Sequence, residues 1–131
     1  RGFYLYEKGR QKQVDESVYA ELGASVPTER RKLRNRDIRA RLVIQMINEA
    51  ARALDQGIVS TAADLDLAMI MGTGCPPFRG GLLRFADSLH PRGVLNYTRE
   101  LEHAHGDRFA PANLLVELAN SDRTFYEVFS T

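Results

Sequence analysis

Hydrophobic residues recur with a helical period over most of the chain beyond Thr28. Between Thr28 and Gly57 no glycine or proline interrupts the sequence. Apolar residues here form a main stripe and a neighbouring row, at Ile38, Leu42, Met46, Ala50 and Leu54 and at Val43, Ile47 and Ala51. This spacing predicts a long amphipathic helix with one broad buried face, ended by Gly57 as a C-cap glycine.

A second helix is predicted to begin at Thr61. Thr61 and Asp64 have the spacing of a capping box, with Asp in the position that Glu usually holds, and an apolar run follows up to Gly72. Residues 72–77, GTGCPP, contain two glycines and two prolines. Because these residues interrupt the hydrogen-bond ladder of a helix, the segment is predicted to be a turn.

Three shorter helices and a packed tail complete the pattern. Apolar clusters mark these helices within residues 82–89, 94–104 and 114–119. The aromatic tail residues Phe125, Tyr126 and Phe129 are predicted to pack back on the bundle. The expected fold class is therefore all-α, with about five helices and one long central helix.

The first part of the chain lacks this period. Residues 1–6, RGFYLY, predict a short aromatic strand or an extended segment, and the polar residues 7–16 predict a surface loop. An apolar patch at residues 18–22 is long enough for one or two helical turns. We expect residues 1–28 to be an extended or loop lead-in and residues 29–131 to form the helical domain.

The composition is that of an ordinary globular domain. The 131 residues are 44% hydrophobic and 27% charged, with a net charge of +1. Such balance argues against a protein whose main partner is nucleic acid or an anionic membrane. No apolar run approaches the ~20 residues of a membrane span. The single cysteine, Cys75, excludes an internal disulfide framework and fits a reducing compartment.

Positive charge is concentrated in the basic block of residues 30–41. The block contains seven Lys and Arg residues and one acidic residue, Asp37. A basic helix start can bind phosphate, in RNA or in a nucleotide-like ligand such as coenzyme A. It also suits a solvated helix flank or a face that docks on an acidic surface. We favour the flank or the docking face, because no aromatic interleaving or base-reading motif accompanies the block.

Other candidate chemistry is weak in this sequence. His90, His103 and His105 lack the spacing of metal ligands, and one cysteine gives no zinc signature. Cys75 lies in the Gly-Pro turn and is expected to be packed rather than reactive. The glycines of residues 72–81 match neither a Walker loop nor a dinucleotide fingerprint, and no predicted strand precedes them. Spacing alone therefore indicates only a helical domain.

Three stretches carry a specific resemblance to a known family. They are residues 46–59 (MINEAARALDQGIV), 63–81 (ADLDLAMIMGTGCPPFRGG) and 87–89 (DSL). They resemble the C-terminal domain of the 3-hydroxyacyl-CoA dehydrogenase family, a fold like the C-terminal domain of 6-phosphogluconate dehydrogenase. The PPFRGG form resembles the second of two tandem copies in the multifunctional β-oxidation proteins, which join an enoyl-CoA hydratase to the dehydrogenase. Residues 1–4, RGFY, resemble the segment that closes the first copy, as expected for an excised piece without an initial Met.

The resemblance implies catalysis by the parent protein rather than by this chain. The family's enzyme oxidises the 3-hydroxyl of an acyl-CoA and passes hydride to NAD, using a Rossmann domain with a His–Glu dyad that has no counterpart here. The first C-terminal copy supplies an Asn in an Asn-Arg-Leu-Leu motif, and alignment on Glu49 places Ala40 at that Asn. We therefore assign no catalytic, cofactor-binding or metal-binding residue, and expect the chain alone to be inactive.

The resemblance also implies partners. We expect the preceding copy and the Rossmann domain of the parent to contact this domain, and acyl-CoA to be the substrate of the parent. The isolated chain is expected to self-associate through the stripe from Ile38 to Leu54. The parent is expected in the bacterial cytoplasm, with the mitochondrion as the alternative. The alternative functions are a nucleic-acid-binding module using the block Arg30–Arg41 and a free-standing protein–protein adaptor.

Overall fold

A computed structural model describes residues 2–26 and 32–130, without the side chain of Ala24. The chain divides into two compact units, residues 1–33 and residues 34–131. The described residues form seven α-helices and one two-stranded sheet. The expectation of a mostly helical fold is confirmed.

The first unit contains a small β-hairpin. Strand β1 (Tyr4–Glu7) pairs antiparallel with β2 (Arg10–Val14), and Lys8 and Gly9 between them both have positive φ. The prediction of a surface loop for residues 7–16 is therefore wrong for β2. Every residue of both strands is exposed, so neither strand has a buried face that would produce an alternating pattern in the sequence.

A short helix follows the hairpin, as the sequence predicts. Helix α1 (Ser17–Leu22) begins after Asp15, whose carboxylate accepts hydrogen bonds from the backbone N–H and hydroxyl of Ser17. It ends at Gly23, where φ is 54°. A 3-10 turn, Gly23–Ser25, completes the described part of this unit.

The second unit is a bundle of six helices around one core. They are α2 (Asn35–Asp55), α3 (Ala62–Thr73), α4 (Leu82–Leu89), α5 (Pro91–His105), α6 (Asn113–Ser121) and α7 (Phe125–Val128). Helix α2 packs on α4, α5 and α6, while α7 packs on α3 and α4. The fully buried apolar side chains are Ile47, Ala51, Ala62, Leu83, Ala86, Val94, Leu115 and Phe125. The three predicted shorter helices and the packed tail are thus confirmed.

The long helix is shorter than its sequence pattern suggests. Residues 27–31, which include the predicted start at Thr28, lie outside the described residues, and residues 32–34 are not helical. The helix begins at Asn35 because Arg34 is in an extended conformation and its guanidinium binds Asp37 in the first turn, with an Nε–Oδ2 distance of 2.7 Å. Asp37 also places a negative charge at the helix N-terminus, which partly compensates the basic block.

The predicted buried face of α2 is only half correct. Ala50 and Leu54 are buried, but Ile38, Leu42 and Met46 are 40%, 61% and 38% exposed. A helix turns about 100° per residue, so positions four apart drift round it by about 40° at each step. Ile38 and Leu54 therefore lie on different sides of the helix, and the first half of the predicted stripe faces away from the core.

Helix α3 begins as predicted but ends later. The Thr61 hydroxyl accepts a hydrogen bond from the backbone N–H of Asp64 at 3.0 Å, which confirms the cap. Gly72 lies within the helix, and Gly74 is the C-cap with φ 71°. The Gly-Pro turn that follows contains the short 3-10 turn Pro77–Arg79.

Candidate partner-binding groove

An open apolar groove of about 890 Å³ runs between α2 and α3. Its lining is mostly aliphatic. The lining residues are Arg41, Leu42, Gln45, Met46, Glu49, Ala50, Ala53, Val59, Leu65, Ala68, Met69, Arg108 and Phe109. Contiguous exposed apolar surface, rather than single exposed side chains, marks sites where a protein contacts something else. The side chains Leu42 and Met46, predicted to be core, line this groove instead.

Polar groups lie at the edges of the groove. The guanidinium groups of Arg41 and Arg108 lie 5.2 Å and 5.0 Å from the centre of the Phe109 ring. Cations over an aromatic face are attracted by its negative quadrupole, so this contact fixes both arginines beside the groove. Glu49 accepts hydrogen bonds from Arg52 and, at 3.3 Å, from Nε2 of Gln45.

One polar atom in the groove is buried without a hydrogen bond. Nε2 of Gln45 donates to Glu49 and, at 3.4 Å, to the backbone carbonyl of Arg108. The side-chain oxygen of Gln45 is buried, and within the described part of the chain nothing donates to it. A buried acceptor without a donor is costly, and this oxygen has almost no exposed surface.

The glycine-rich turn does not offer a phosphate site. The carboxylate of Asp66 accepts the backbone N–H groups of Leu83 at 2.6 Å and Arg84 at 3.0 Å. These are the free N–H groups at the start of α4 that an anion would need. Asp66 is 3% exposed and approaches the backbone closely at Gly81. An anionic group of a dinucleotide therefore does not fit there.

A second carboxylate fixes the C-terminal helix. Asp87 accepts hydrogen bonds from the backbone N–H groups of Phe125 at 2.9 Å and Tyr126 at 3.1 Å. Burial raises the pKa of Asp87 above its ordinary value, although these hydrogen bonds oppose the shift. The Tyr126 hydroxyl donates to Asp66 at 2.9 Å, and burial together with this bond raises the pKa of Tyr126.

The basic block does not form one site in the described residues. Arg30 and Arg31 lie outside them. Arg34 and Arg36 both pair with Asp37, and the hydrogen bond from Arg34 lowers the pKa of that carboxyl. Lys32 and Arg39 are exposed, and among the described residues of the basic block only Arg41 lines the groove.

The histidines and the cysteine lie in separate places. His90 has φ 63° in the link between α4 and α5, and His103 and His105 are exposed at the end of α5. No three potential metal ligands come together among the residues that the structure describes. Cys75 is half-buried in the Gly-Pro turn and packs against the core, as expected of a packed thiol.

The buried polar residue Asn48 was not anticipated from the sequence. Asn48 is fully buried; its Nδ2 donates to the carbonyl of Ala110 at 2.9 Å, and its Oδ1 accepts from the N–H of Ala112 at 2.8 Å. It joins α2 to the segment before α6. The available signal was an Asn next to Ile47 that follows Ile44 by four residues and precedes Ala51 by three.

Comparison with known proteins identifies the family. The sequence model of the family described as 3-hydroxyacyl-CoA dehydrogenase, C-terminal domain, matches residues 38–126 of this chain. The fatty acid oxidation complex subunit alpha of Shewanella loihica is 41% identical over 128 residues, 97% of this chain and 18% of that protein. The subunit of the same name from Shewanella amazonensis is 42% identical over 128 residues, 96% of this chain and 18% of that protein. That of Vibrio parahaemolyticus is 41% identical over 126 residues, 96% of this chain and 17% of that protein.

This chain thus spans about 18% of the length of such relatives. Within the described residues, no helix is both long and apolar enough to cross a bilayer. The family match covers most of the helical unit, including α3, the Gly-Pro turn and α4. The chain belongs to the family of the 3-hydroxyacyl-CoA dehydrogenase C-terminal domain.

Proposed function

We propose that this chain is a non-catalytic scaffold domain of a fatty-acid β-oxidation enzyme. The parent is an NAD-dependent 3-hydroxyacyl-CoA dehydrogenase fused to an enoyl-CoA hydratase, acting on acyl-CoA in the bacterial cytoplasm. The family match, the name of the bacterial relatives as fatty acid oxidation complex subunit alpha and the share of their length that this chain spans support this proposal. The alternative of a nucleic-acid-binding module has no support in these comparisons.

The domain division is part of the proposal. Residues 1–28 would be the lead-in from the end of the preceding copy, and residues 29–131 the second C-terminal copy. The division of the chain into compact units after Leu33 supports this division, as does a family match that starts at Ile38.

The chemistry is proposed to reside outside this chain. Ala40 has no polar side chain to offer where the first copy supplies an Asn. The start of α4 already holds the carboxylate of Asp66, so its N–H groups are not available to a cofactor phosphate. We assign no catalytic, cofactor or metal residue to the chain, and NAD to the parent's Rossmann domain.

The groove between α2 and α3 is the observation that carries the scaffold role. A domain that has no partner would be expected to bury Leu42 and Met46, whereas both side chains line an open groove. We propose that in the parent the groove face of α2 packs on the preceding copy, and that the Rossmann domain adjoins that pair. In the isolated chain the same face supports self-association.

The test uses a parent protein truncated immediately before the sequence of this chain. The purified chain alone should oxidise no 3-hydroxyacyl-CoA in the presence of NAD, because it supplies neither a base nor a dinucleotide site. The truncated parent should lose stability and dehydrogenase activity, and adding the chain in trans should restore both. Turnover by the chain alone, or a truncated parent as active as the intact enzyme, would refute the proposed role.

A further inference from the structure

Two arginine side chains lie together at one end of the groove. The guanidinium groups of Arg41 and Arg108 lie 5.2 Å and 5.0 Å from the centre of the same ring, that of Phe109. This ring is buried, so it holds both cations in place. In the described part of the chain neither arginine forms an ion pair with a carboxylate. This end of the groove therefore carries positive charge that is available to an anion.

The negative charge in the groove lies away from the two arginines and is already balanced. Glu49 follows Arg41 by eight residues, which places it about 12 Å farther along α2. The carboxylate of Glu49 binds Arg52 and accepts a hydrogen bond from Nε2 of Gln45. Glu49 therefore does not neutralise the positive end, and the charge along the groove is unequal.

The rest of the groove is lined by aliphatic side chains. Ala50 and Ala53 on α2 and Ala68 on α3 line it, and their short side chains leave space between the two helices. Met46 and Met69 also line this space. Because methionine is unbranched and flexible, it adapts to the shape of an apolar ligand. This part of the groove can hold a hydrocarbon but offers few partners to a polar one.

The dimensions of the groove indicate a small and elongated ligand. Its volume of about 890 Å³ lies within the range of about 300–1,000 Å³ found for small-molecule sites. The lining residues of α2 extend from Arg41 to Ala53, which corresponds to about 18 Å of helix. A long apolar space with cations at one end matches an aliphatic chain with an anionic head.

We propose that the groove binds a single-chain aliphatic carboxylate. Its head lies beside Arg41 and Arg108, where guanidinium groups form charge-assisted hydrogen bonds to a carboxylate. Its chain extends toward Ala53, and removal of the methylene groups from water stabilises the complex. Such binding does not require the scaffold role, but it uses the face that we propose to pack on the preceding copy. A bound carboxylate therefore excludes that copy and would regulate the contact.

Calorimetric titration of the purified chain tests both parts of this ligand. Octanoate, decanoate and dodecanoate are compared below the concentrations at which they form micelles. The affinity should increase by up to about fourfold for each added methylene group that the groove buries. Acetate should show no measurable binding, because it has no chain. Dodecyl maltoside has the same alkyl chain with a neutral head and should bind more weakly than dodecanoate.

Substitutions test the head site and the chain site separately. Arg41→Gln and Arg108→Gln should each weaken dodecanoate binding by about two- to fivefold, as for a solvated ion pair, and leave dodecyl maltoside unaffected. Arg99→Gln, exposed on α5, is the matched control. Ala68→Phe should abolish binding by filling the groove, whereas Ala63→Phe, exposed on the same helix, should not. Circular dichroism establishes that each variant is folded.

The three methionines of the chain report where the ligand binds. Met46 and Met69 line the groove, whereas Met71 is 79% exposed and does not line it. In a sample with isotope-labelled methionine methyl groups, dodecanoate should shift the NMR signals of Met46 and Met69 and leave that of Met71 nearly unchanged. Unspecific binding to exposed apolar surface would shift the signal of Met71 as well.

Several results would overturn the inference. They are no binding of dodecanoate, equal affinity for dodecanoate and dodecyl maltoside, unchanged binding in both arginine variants or in Ala68→Phe, and a shift of Met71 as large as those of Met46 and Met69. If the chain restores the truncated parent in trans but binds no dodecanoate, the inference fails while the scaffold function stands. If it binds dodecanoate as expected but does not restore the parent, the scaffold function fails and the ligand site stands.

Discussion

Gly81 lies where the carboxylate of Asp66 approaches the backbone at the start of α4. Its φ is +118°, in the region that favours glycine, and a Cβ at this position would lie 2.5 Å from Oδ2 of Asp66. Asp66 occupies this space because it accepts the N–H groups of Leu83 and Arg84. Gly81→Ala must therefore either strain the backbone or displace the carboxylate from the helix start.

The expected cost is large for a domain of this size. Backbone strain at a disfavoured φ costs about 1–3 kcal/mol. Hydrogen bonds to a charged group contribute about 1.5–3 kcal/mol each, and two are at risk when Asp66 moves. Because the backbone and the Asp66 side chain can partly relax, we expect Gly81→Ala to lower the free energy of unfolding by about 4–6 kcal/mol. This loss is a substantial part of a typical domain stability of about 5–15 kcal/mol.

Urea denaturation followed by circular dichroism measures this loss. Gly93→Ala in α5 is the matched control, because its Cβ meets no atom within 4 Å and its φ is not positive. It should be neutral or stabilise by about 0.5–1 kcal/mol. Asp66→Ala combined with Gly81→Ala should cost less than the sum of the two single changes, since both act on one contact. A loss below about 1 kcal/mol for Gly81→Ala would refute the reasoning.

Three further predictions concern buried or capping polar groups. Asn48→Leu should cost about 2–4 kcal/mol in urea denaturation, because it leaves the buried N–H of Ala112 without an acceptor; a neutral effect would contradict this. Hydrogen bonds from Thr124 lower the pKa of Glu127 below 4.5, so its stabilising contribution is present above that pH and is lost as the pH falls through the folded pKa. Glu127→Gln should therefore reduce the loss of thermal stability on acidification. Burial raises the pKa of Asp87 above 3.8, so the contribution of Asp87 to stability declines as the pH rises from 3.8 through the pKa of the folded protein. Thermal melts of Asp87→Asn should show a smaller loss of stability over this pH interval.

Local signals in the sequence predicted the helices well. The cap at Thr61, the helix breaks around the Gly-Pro turn and the aromatic tail depend on neighbouring residues, and the structure places them as expected. The end of α3 was missed because Gly72 is tolerated inside a helix and the left-handed C-cap is Gly74. The hairpin was missed because strand β2 has no buried face to mark it.

The groove could not be predicted, because it depends on which side of α2 meets the core. The stripe from Ile38 to Leu54 contains both buried and open positions, and only the packing of α4, α5 and α6 divides it. The contacts of Asp66 and Asn48 join residues far apart in the sequence. No local pattern distinguishes such buried polar side chains from surface ones.

The carboxylate of Asp66 links parts of the chain that are distant in sequence. It lies on α3, holds the first turn of α4 and accepts the hydroxyl of Tyr126 on α7. A four-residue helix such as α7 has no stability of its own in water. Helix α7 therefore acquires order only once the bundle it packs on has assembled, so a ribosome must release the chain from α2 to α7 before these contacts can form.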